Sequence, residues 1–155
     1  MSIIAPGAEV PEFELKTAEG EPFTKDDLAG RTTVLVFYPA AFSSVCTDQF
    51  QILEEVLEDV SAQGATVYGV SCDQRESQTA FRERSNVTIG MLSDFEPKGA
   101  ATQAFGCYFG PTGVSNRALV IVGPDLRVQW SWEGEHPGIL PGANLVFDGL
   151  AARAA

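Results

Sequence analysis

The sequence lacks several features that would assign a protein class at once. It has no apolar run near the ~18 residues of a membrane-spanning helix, and its start, MSIIAPGAEV, has neither the basic nor the apolar stretch of a secretory signal. Only 10 Lys and Arg side chains stand against 21 Asp and Glu, which gives a formal net charge of −11. Because such a surface repels nucleic acids and anionic lipids, we expect a cytoplasmic protein without nucleic-acid or membrane partners.

Cysteine and histidine are also scarce. The three cysteines, Cys46, Cys72 and Cys107, form neither a CxxC pair nor a pattern of Cys and His ligands, and His136 is the only histidine. This argues against a zinc site and against the disulfide framework of a small secreted protein. We therefore expect no metal and no cofactor, while thiol chemistry in a reducing compartment stays open. His136 lies beside acidic residues, and we assign it no role.

What the sequence does contain is an alternation of predicted strands and helices within 155 residues. Two runs of β-branched and aromatic residues, 33–38 and 65–71, are typical of strands buried on both faces of a parallel sheet. Apolar residues at spacings of three and four predict an amphipathic helix from Ser43 or Ser44 to about Gln63. The other predicted elements are a short strand at 12–17, a helix start at 24–27, helices at 77–84 and 97–105, a short strand at 91–92, and a hairpin of strands 117–122 and 126–133.

This order of elements predicts one α/β domain over residues 1–155, since no repeat or linker divides the chain. Parallel strands with crossover helices, followed by an antiparallel hairpin, predict a central mixed β-sheet flanked by α-helices, with an N-terminal β-extension. In the hairpin, Leu126, Val128, Trp130 and Trp132 are expected to share one face. The architecture is similar to the thioredoxin-like fold.

Cys46 follows the first buried strand closely and falls in the predicted first turn of the long helix. In an open α/β sheet the reactive crevice lies at the carboxyl ends of the strands. The unpaired N–H groups and the positive dipole end at a helix start favour a thiolate, which is the nucleophilic form of cysteine. By position alone, Cys46 is either a reactive thiol or a small buried apolar residue.

The segment Pro39-x-x-x-Ser43-x-x-Cys46 resembles the active-site signature of the peroxiredoxins, Pro-x-x-x-Thr/Ser-x-x-Cys. The segments 91–95, 99–106 and 113–117 resemble the AhpE-type branch of that family, and the likeness extends over about residues 3–150. It implies a thiol-dependent peroxidase of thioredoxin-like fold that reduces hydrogen peroxide and organic hydroperoxides. Cys46 would become a sulfenic acid, which an external thiol or a thioredoxin- or glutaredoxin-like reductant would reduce.

The resemblance also implies roles for residues around Cys46. Arg117 would stabilise both the thiolate and the oxyanion that leaves as the O–O bond breaks. Ser43, in place of the more usual threonine, would present its hydroxyl to the thiolate and the peroxide, and it could also be the helix N-cap. Pro39 would shield the site from water because it lacks an N–H group. Many relatives have glutamate at the position of Gln49, whose amide can still hydrogen-bond to Arg117.

A homodimer is a further implication of the resemblance. Four aromatic residues lie at the end of the predicted helix at 97–105 or in the loops beside it. Rings of this type are found at interface cores. The alternative is that they fill the core of the monomer. The residues concerned are Phe95, Phe105, Tyr108 and Phe109.

The roles of the other cysteines stay open at this point. Cys72 follows the second buried strand, near the predicted crevice, and could resolve the sulfenic acid internally, whereas Cys107 could be exposed at a helix end. Both could equally be unreactive thiols. Gln49 stands where an ordinary disulfide oxidoreductase of the thioredoxin kind has its second cysteine, which excludes that activity. The alternative to a peroxidase is a thioredoxin-fold redox sensor or binding protein without efficient turnover.

Overall fold

A seven-stranded β-sheet organises the structure, a computed structural model that describes residues 2–152. In chain order the strands are β1 (Glu14–Lys16), β2 (Pro22–Thr24), β3 (Thr32–Phe37), β4 (Ala65–Ser71), β5 (Gly90–Ser93), β6 (Tyr108–Phe109), β7 (Val114–Ser115), β8 (Ala118–Val122) and β9 (Val128–Glu133). The spatial order is β2-β1-β5-β4-β3-β8-β9, while β6 and β7 form a separate antiparallel pair. β3, β4 and β5 are parallel neighbours, and the strands on both sides of them are antiparallel. The predicted α/β fold, with a central mixed sheet and an N-terminal β-extension, is confirmed.

Helices cover both faces of the sheet. They are the 3-10 helix Lys25–Leu28 and the α-helices α1 (Ser44–Glu55), α2 (Leu57–Ala62), α3 (Arg75–Ser85), α4 (Ala100–Phe105) and α5 (Asn144–Ala152). The single helix predicted to run to about Gln63 is wrong, because the chain leaves helical geometry at Val56, with φ −108° and ψ 8°. There the N–H of Val56 bonds to the carbonyl of Leu53 at 3.2 Å, which tightens the last turn of α1. The sequence pattern did not predict α5.

The sheet separates two apolar cores. On one side, here called the α1 face, Val34 and Val36 of β3 pack with residues of α1, α2, α3 and α5. On the other side, the α4 face, Leu35 and Phe37 pack with Phe105 of α4. The four strand residues alternate because successive side chains of a strand point to opposite faces. β3 is therefore buried on both faces, as predicted, and its carboxyl end lies between the two cores.

The hairpin of β8 and β9 differs from the prediction. Leu126 and Val128 pack on the α4 face, whereas Trp130 and Trp132 pack on the α1 face. The pairing of the two strands shifts between Val128 and Trp130, so Gln129 is an extra residue in β9. This β-bulge changes the alternation of side chains along the strand. The expectation that the four apolar residues share one face is therefore wrong.

Candidate active site

The segment from the end of β3 to the start of α1 places Cys46. Tyr38 extends the pairing of β3 with β4 by one residue, since its N–H donates to the carbonyl of Val70 at 3.0 Å. Ser43 is the N-cap of α1: its backbone is extended, with φ −67° and ψ 146°, and its Oγ accepts the N–H of Cys46 at 3.1 Å. Cys46 consequently lies in the first turn of α1, where the sequence placed it.

Arg117 reaches Cys46 from the start of β8. Its Nη2 donates to the Sγ of Cys46 at 3.3 Å. Both side chains are buried, with 1% of Arg117 and 0% of Cys46 exposed to solvent. Within residues 2–152, no carboxylate forms an ion pair with Arg117. A buried cation without a carboxylate partner favours an anion in contact with it, and the sulfur of Cys46 can supply that charge as a thiolate.

Two further contacts set the direction of the Arg117 guanidinium. Its Nε donates to the carbonyl of Pro137 at 3.0 Å, and its Nη1 donates to Oε1 of Gln49 at 2.6 Å. Gln49 is buried on α1, three residues after Cys46. Since the guanidinium is planar with a rigid set of donors, these contacts aim Nη2 at the sulfur. The hydrogen bond expected between Gln49 and Arg117 is present, and the contact with Pro137 was not foreseen.

Asp73 is a second residue that the sequence pattern did not single out. Its Oδ2 accepts the N–H of Ala41 at 2.8 Å and the hydroxyl of Ser71 at 2.7 Å. The carboxylate thereby ties the loop before α1 to the end of β4. Its position, a polar residue just beyond the carboxyl end of a buried strand, was the available signal.

Phe42 shapes the same loop through its backbone. Its φ of +68° lies in the left-handed region, which is uncommon for a bulky residue and is found most often at functional sites. The ring is 50% exposed and meets Phe81 of α3 edge to face, with centroids 5.6 Å apart. Phe42 thus turns the chain immediately before the Ser43 cap.

Pro39 lies in the same loop and lines a cavity of about 310 Å³. Cys72, Asp73 and Lys98 line other parts of this cavity. Of the residues singled out from the sequence, Ser43 and Arg117 both contact Cys46: Ser43 contacts its backbone N–H and Arg117 contacts its sulfur. Pro39 is placed in the loop that leads to them.

Cys72 and Cys107 lie apart from this arrangement, around Thr102 of α4. The Sγ of Cys72 is 4.0 Å from Oγ1 of Thr102, and the Sγ of Cys107 is 3.8 Å from its carbonyl oxygen. Burial, together with the charge of Asp94, raises the pKa of the Cys72 thiol to about 11, and burial also raises the pKa of Cys107. The expectation that Cys107 could be exposed is wrong, because only 1% of it is accessible.

The remaining residues considered from the sequence have varied environments. Phe105 is fully buried in the core of the α4 face, so its prediction as interface surface is wrong. Phe95 is 42% exposed, and Tyr108 and Phe109 are half-buried. His136 is exposed, and its Nδ1 accepts the N–H of Gly138 at 3.1 Å.

Neither a membrane span nor a metal site is visible in the described residues. None of their helices combines the length and the apolar character needed to cross a bilayer. No group of three or more His, Cys, Asp and Glu side chains among them could hold a metal ion. The chemistry that the site offers is that of a nucleophilic sulfur beside a fixed positive charge.

Comparison with known proteins gives the following matches. The model of the AhpC/TSA family matches residues 6–131. The chain is 28% identical to alkyl hydroperoxide reductase E of Mycobacterium tuberculosis over 147 residues, which cover 94% of this chain and 95% of that protein. It is 32% identical to alkyl hydroperoxide reductase C of Staphylococcus aureus over 123 residues, which cover 77% of this chain and 64% of that protein. A crystal structure of Enterococcus faecalis AhpC superposes with a TM-score of 0.88 at 24% identity, covering 99% of this chain and 93% of that chain.

Proposed function

The chain belongs to the AhpC/TSA family of peroxiredoxins, and on that premise we propose that Cys46 is the peroxidatic cysteine of a thiol-dependent hydroperoxide reductase. The observation that carries the assignment is the 3.3 Å contact between Arg117 Nη2 and Cys46 Sγ inside the protein. A guanidinium so placed stabilises the thiolate that attacks a peroxide. The substrate class is hydrogen peroxide and organic hydroperoxides.

The proposed reaction begins with attack of the Cys46 thiolate on the terminal oxygen of the hydroperoxide. The S–O bond forms as the O–O bond breaks, and the sulfur is oxidised by two electrons to a sulfenic acid. The leaving oxygen becomes an alkoxide, or hydroxide from hydrogen peroxide, and departs as an alcohol or water after taking a proton. As the negative charge passes from the sulfur to the leaving oxygen, the N–H groups of Arg117 stabilise it there, which lowers the activation barrier.

Ser43 and Pro39 have supporting roles in this proposal. The Oγ of Ser43 accepts the N–H of Cys46 at 3.1 Å, and the same hydroxyl can donate its hydrogen to the peroxide. Pro39 contributes no N–H to the loop before α1, so it adds no backbone donor that would hold water beside the thiolate. Both roles follow the family signature and the location of these residues in one loop.

We propose that an external thiol closes the cycle. The first thiol attacks the sulfur of the sulfenic acid and releases water, and a second thiol attacks the mixed disulfide, which restores the Cys46 thiol and releases the disulfide of the two reductant thiols. A small thiol or a thioredoxin- or glutaredoxin-like protein fits this role. The raised pKa of Cys72, about 11, supports an external reductant, because the attacking group in an internal disulfide exchange must be a thiolate.

The assembly and location are part of the same proposal. We propose a homodimer, which the resemblance to AhpE-type peroxiredoxins implies, with Phe95, 42% exposed, in the interface. Light scattering at micromolar concentration should give twice the mass of the chain, and a monomeric mass would reject the dimer. We place the protein in the cytoplasm, which agrees with its three free cysteines.

The enzymatic proposal is tested by peroxide consumption with several reductants. Wild-type protein and Cys107→Ser should turn over many equivalents, while Cys46→Ser should fall to background because the nucleophile is lost. Cys107→Ser is the matched control, since it removes a buried thiol from the opposite face of the sheet. Oxidation of Cys46 by one equivalent of peroxide, with no turnover under any reductant, would instead identify a redox sensor.

A further inference from the structure

We propose that Asn116 is a positioning residue for peroxide reduction: its buried amide fixes the segment 133–137 and, through it, the direction in which Arg117 points. The inference rests on the proposed roles of Cys46 and Arg117, and it adds a residue that makes no contact with the sulfur.

Asn116 hydrogen-bonds to three different groups. Its Nδ2 donates to Oε2 of Glu133 at 3.0 Å and to the carbonyl of Gly134 at 2.9 Å. Its Oδ1 accepts the backbone N–H of Arg117 at 2.9 Å. The residue is 6% exposed, so these contacts replace the water that the amide would otherwise bind. One side chain thereby joins the start of β8 to the end of β9.

The segment held in this way supplies a contact to the guanidinium. The N–H of Gly134 donates to the carbonyl of Arg117 at 2.8 Å, which closes a second link between the two strands. Three residues later, the carbonyl of Pro137 accepts Nε of Arg117 at 3.0 Å. Asn116 therefore anchors the segment at the end where it leaves the sheet, and Pro137 presents its carbonyl from the other end.

The Pro137 carbonyl matters because the guanidinium is planar. When Nε is held by Pro137 and Nη1 by Gln49, the remaining nitrogen, Nη2, points at Cys46. The segment between Gly134 and Gly138 contains two exposed residues, Glu135 and His136, and it has no regular secondary structure. Without the Asn116 contacts, this segment has fewer restraints, and the guanidinium can rotate away from the sulfur.

Other side chains at position 116 cannot make the same set of contacts. Aspartate keeps the acceptor for the Arg117 N–H, but it cannot donate to the carbonyl of Gly134 and it adds a second carboxylate beside Glu133. Alanine removes all three contacts. Both variants therefore loosen the segment, and Asn116→Asp does so with almost no change in side-chain volume.

The test is stopped-flow measurement of Cys46 oxidation by hydrogen peroxide. Asn116→Ala and Asn116→Asp should oxidise about 10- to 100-fold more slowly than wild type, since a small misplacement of a catalytic group has effects of this size. Asn144→Ala, at an exposed asparagine on the first residue of α5, is the matched control and should react at the wild-type rate. If Asn116→Ala does not fold, Asn116→Asp alone provides the test.

A double-mutant cycle separates positioning from a general structural effect. In an Arg117→Ala background, Asn116→Ala or Asn116→Asp should change the oxidation rate less than about twofold, because the group to be positioned is gone. An equal loss in both backgrounds, or a near wild-type rate in the single variants, would overturn the inference. If Cys46 of the wild-type protein does not react with peroxide at all, the proposed function itself is what fails.

Discussion

Two regions of the molecule hold buried cysteines, and they present the thiol with opposite surroundings. Cys46 is 0% exposed on the α1 face and contacts a guanidinium 3.3 Å away. Cys72 and Cys107 are 6% and 1% exposed around Thr102, whose neutral hydroxyl and carbonyl are their nearest polar partners. Burial is thus common to all three, and the charge beside the sulfur distinguishes them.

The charge that acts most strongly on Cys72 has the opposite sign, since the effect of Asp94 exceeds that of Lys98. Asp94 is 3% exposed, and its carboxylate accepts the N–H and the hydroxyl of Thr102 at 2.7 and 2.6 Å. Burial raises the pKa of Asp94 despite these hydrogen bonds. The charge of Asp94 contributes to the raised pKa of Cys72, whereas the charged group in contact with Cys46 is the guanidinium of Arg117. Two of the three buried cysteines therefore have a raised pKa, and the third contacts a cation.

Removal of the charge beside Cys46 should have the largest effect. We predict that Arg117→Ala slows oxidation of Cys46 by about 10²–10³-fold, as loss of a preorganised donor does in other enzymes. Arg117→Lys should recover part of the rate, because a lysine retains the charge without the planar set of donors. Stopped-flow kinetics give the rates, with the exposed Arg31→Ala as control. A near wild-type rate in Arg117→Ala would remove Arg117 from the mechanism.

The two regions should also differ in alkylation. At pH 8, a thiol with a pKa of about 11 is about 0.1% ionised, so Cys72 should react more slowly with iodoacetamide than Cys46, whose sulfur contacts a guanidinium. The rate of Cys72 should rise about tenfold per pH unit from pH 8 to 10, because the thiolate fraction rises in that proportion. Mass spectrometry of peptides follows both residues in one sample. Equal labelling at pH 8 would contradict the distinction between the regions.

A smaller effect is expected from substitution of Gln49, whose side chain accepts a hydrogen bond from the same guanidinium as the sulfur of Cys46. Gln49→Ala removes an acceptor 2.6 Å from Nη1, and we predict an oxidation rate about tenfold lower, in line with ~1.5 kcal/mol for a hydrogen bond to a charged group. The exposed Gln51→Ala on the same helix is the matched control. Equal rates for the two variants would show that Gln49 does not orient Arg117.

The last effect concerns the loop before α1 and is on stability, not on rate. Asp73→Ala leaves the N–H of Ala41 without its acceptor, and we predict a loss of about 1–3 kcal/mol in unfolding free energy. Asp73→Asn should lose less, since its amide oxygen can still accept that N–H. Urea denaturation with intact cysteines measures both variants. An unchanged midpoint in Asp73→Ala would mean that the loop does not depend on this carboxylate.

The sequence predicted the elements that depend on local pattern. The strand at 65–71 was predicted with its observed bounds. The family signature pointed to Ser43 and Cys46, and the resemblance of the later segments pointed to Arg117. That the whole chain forms one domain stays a prediction. The hydrogen bond of Gln49 to Arg117 was expected, but the contact of Arg117 with the carbonyl of Pro137 and those of Asn116 with Glu133 and Gly134 were not, because they join segments that only the fold brings together.

The errors have a similar origin. An extra residue in β9 alters the side-chain alternation without changing the pattern of residue types, so the bulge at Gln129 was not visible. Cys107 is buried because β7 and α4 cover it, and its sulfur lies 3.9 Å from Oγ of Ser115. Burial of a residue near a helix end depends on such neighbours, and no local spacing predicts it.

The most direct test of the account is the chemical state of Cys46 after one equivalent of peroxide. Reduced wild-type protein, Cys72→Ser and Cys107→Ser are treated in the presence of dimedone and then digested for mass spectrometry. The account predicts a dimedone adduct on Cys46 in all three proteins, because sulfenic acid persists when no internal thiol reaches it. A stoichiometric disulfide between Cys46 and Cys72 in the wild-type protein, with turnover lost in Cys72→Ser, would contradict it.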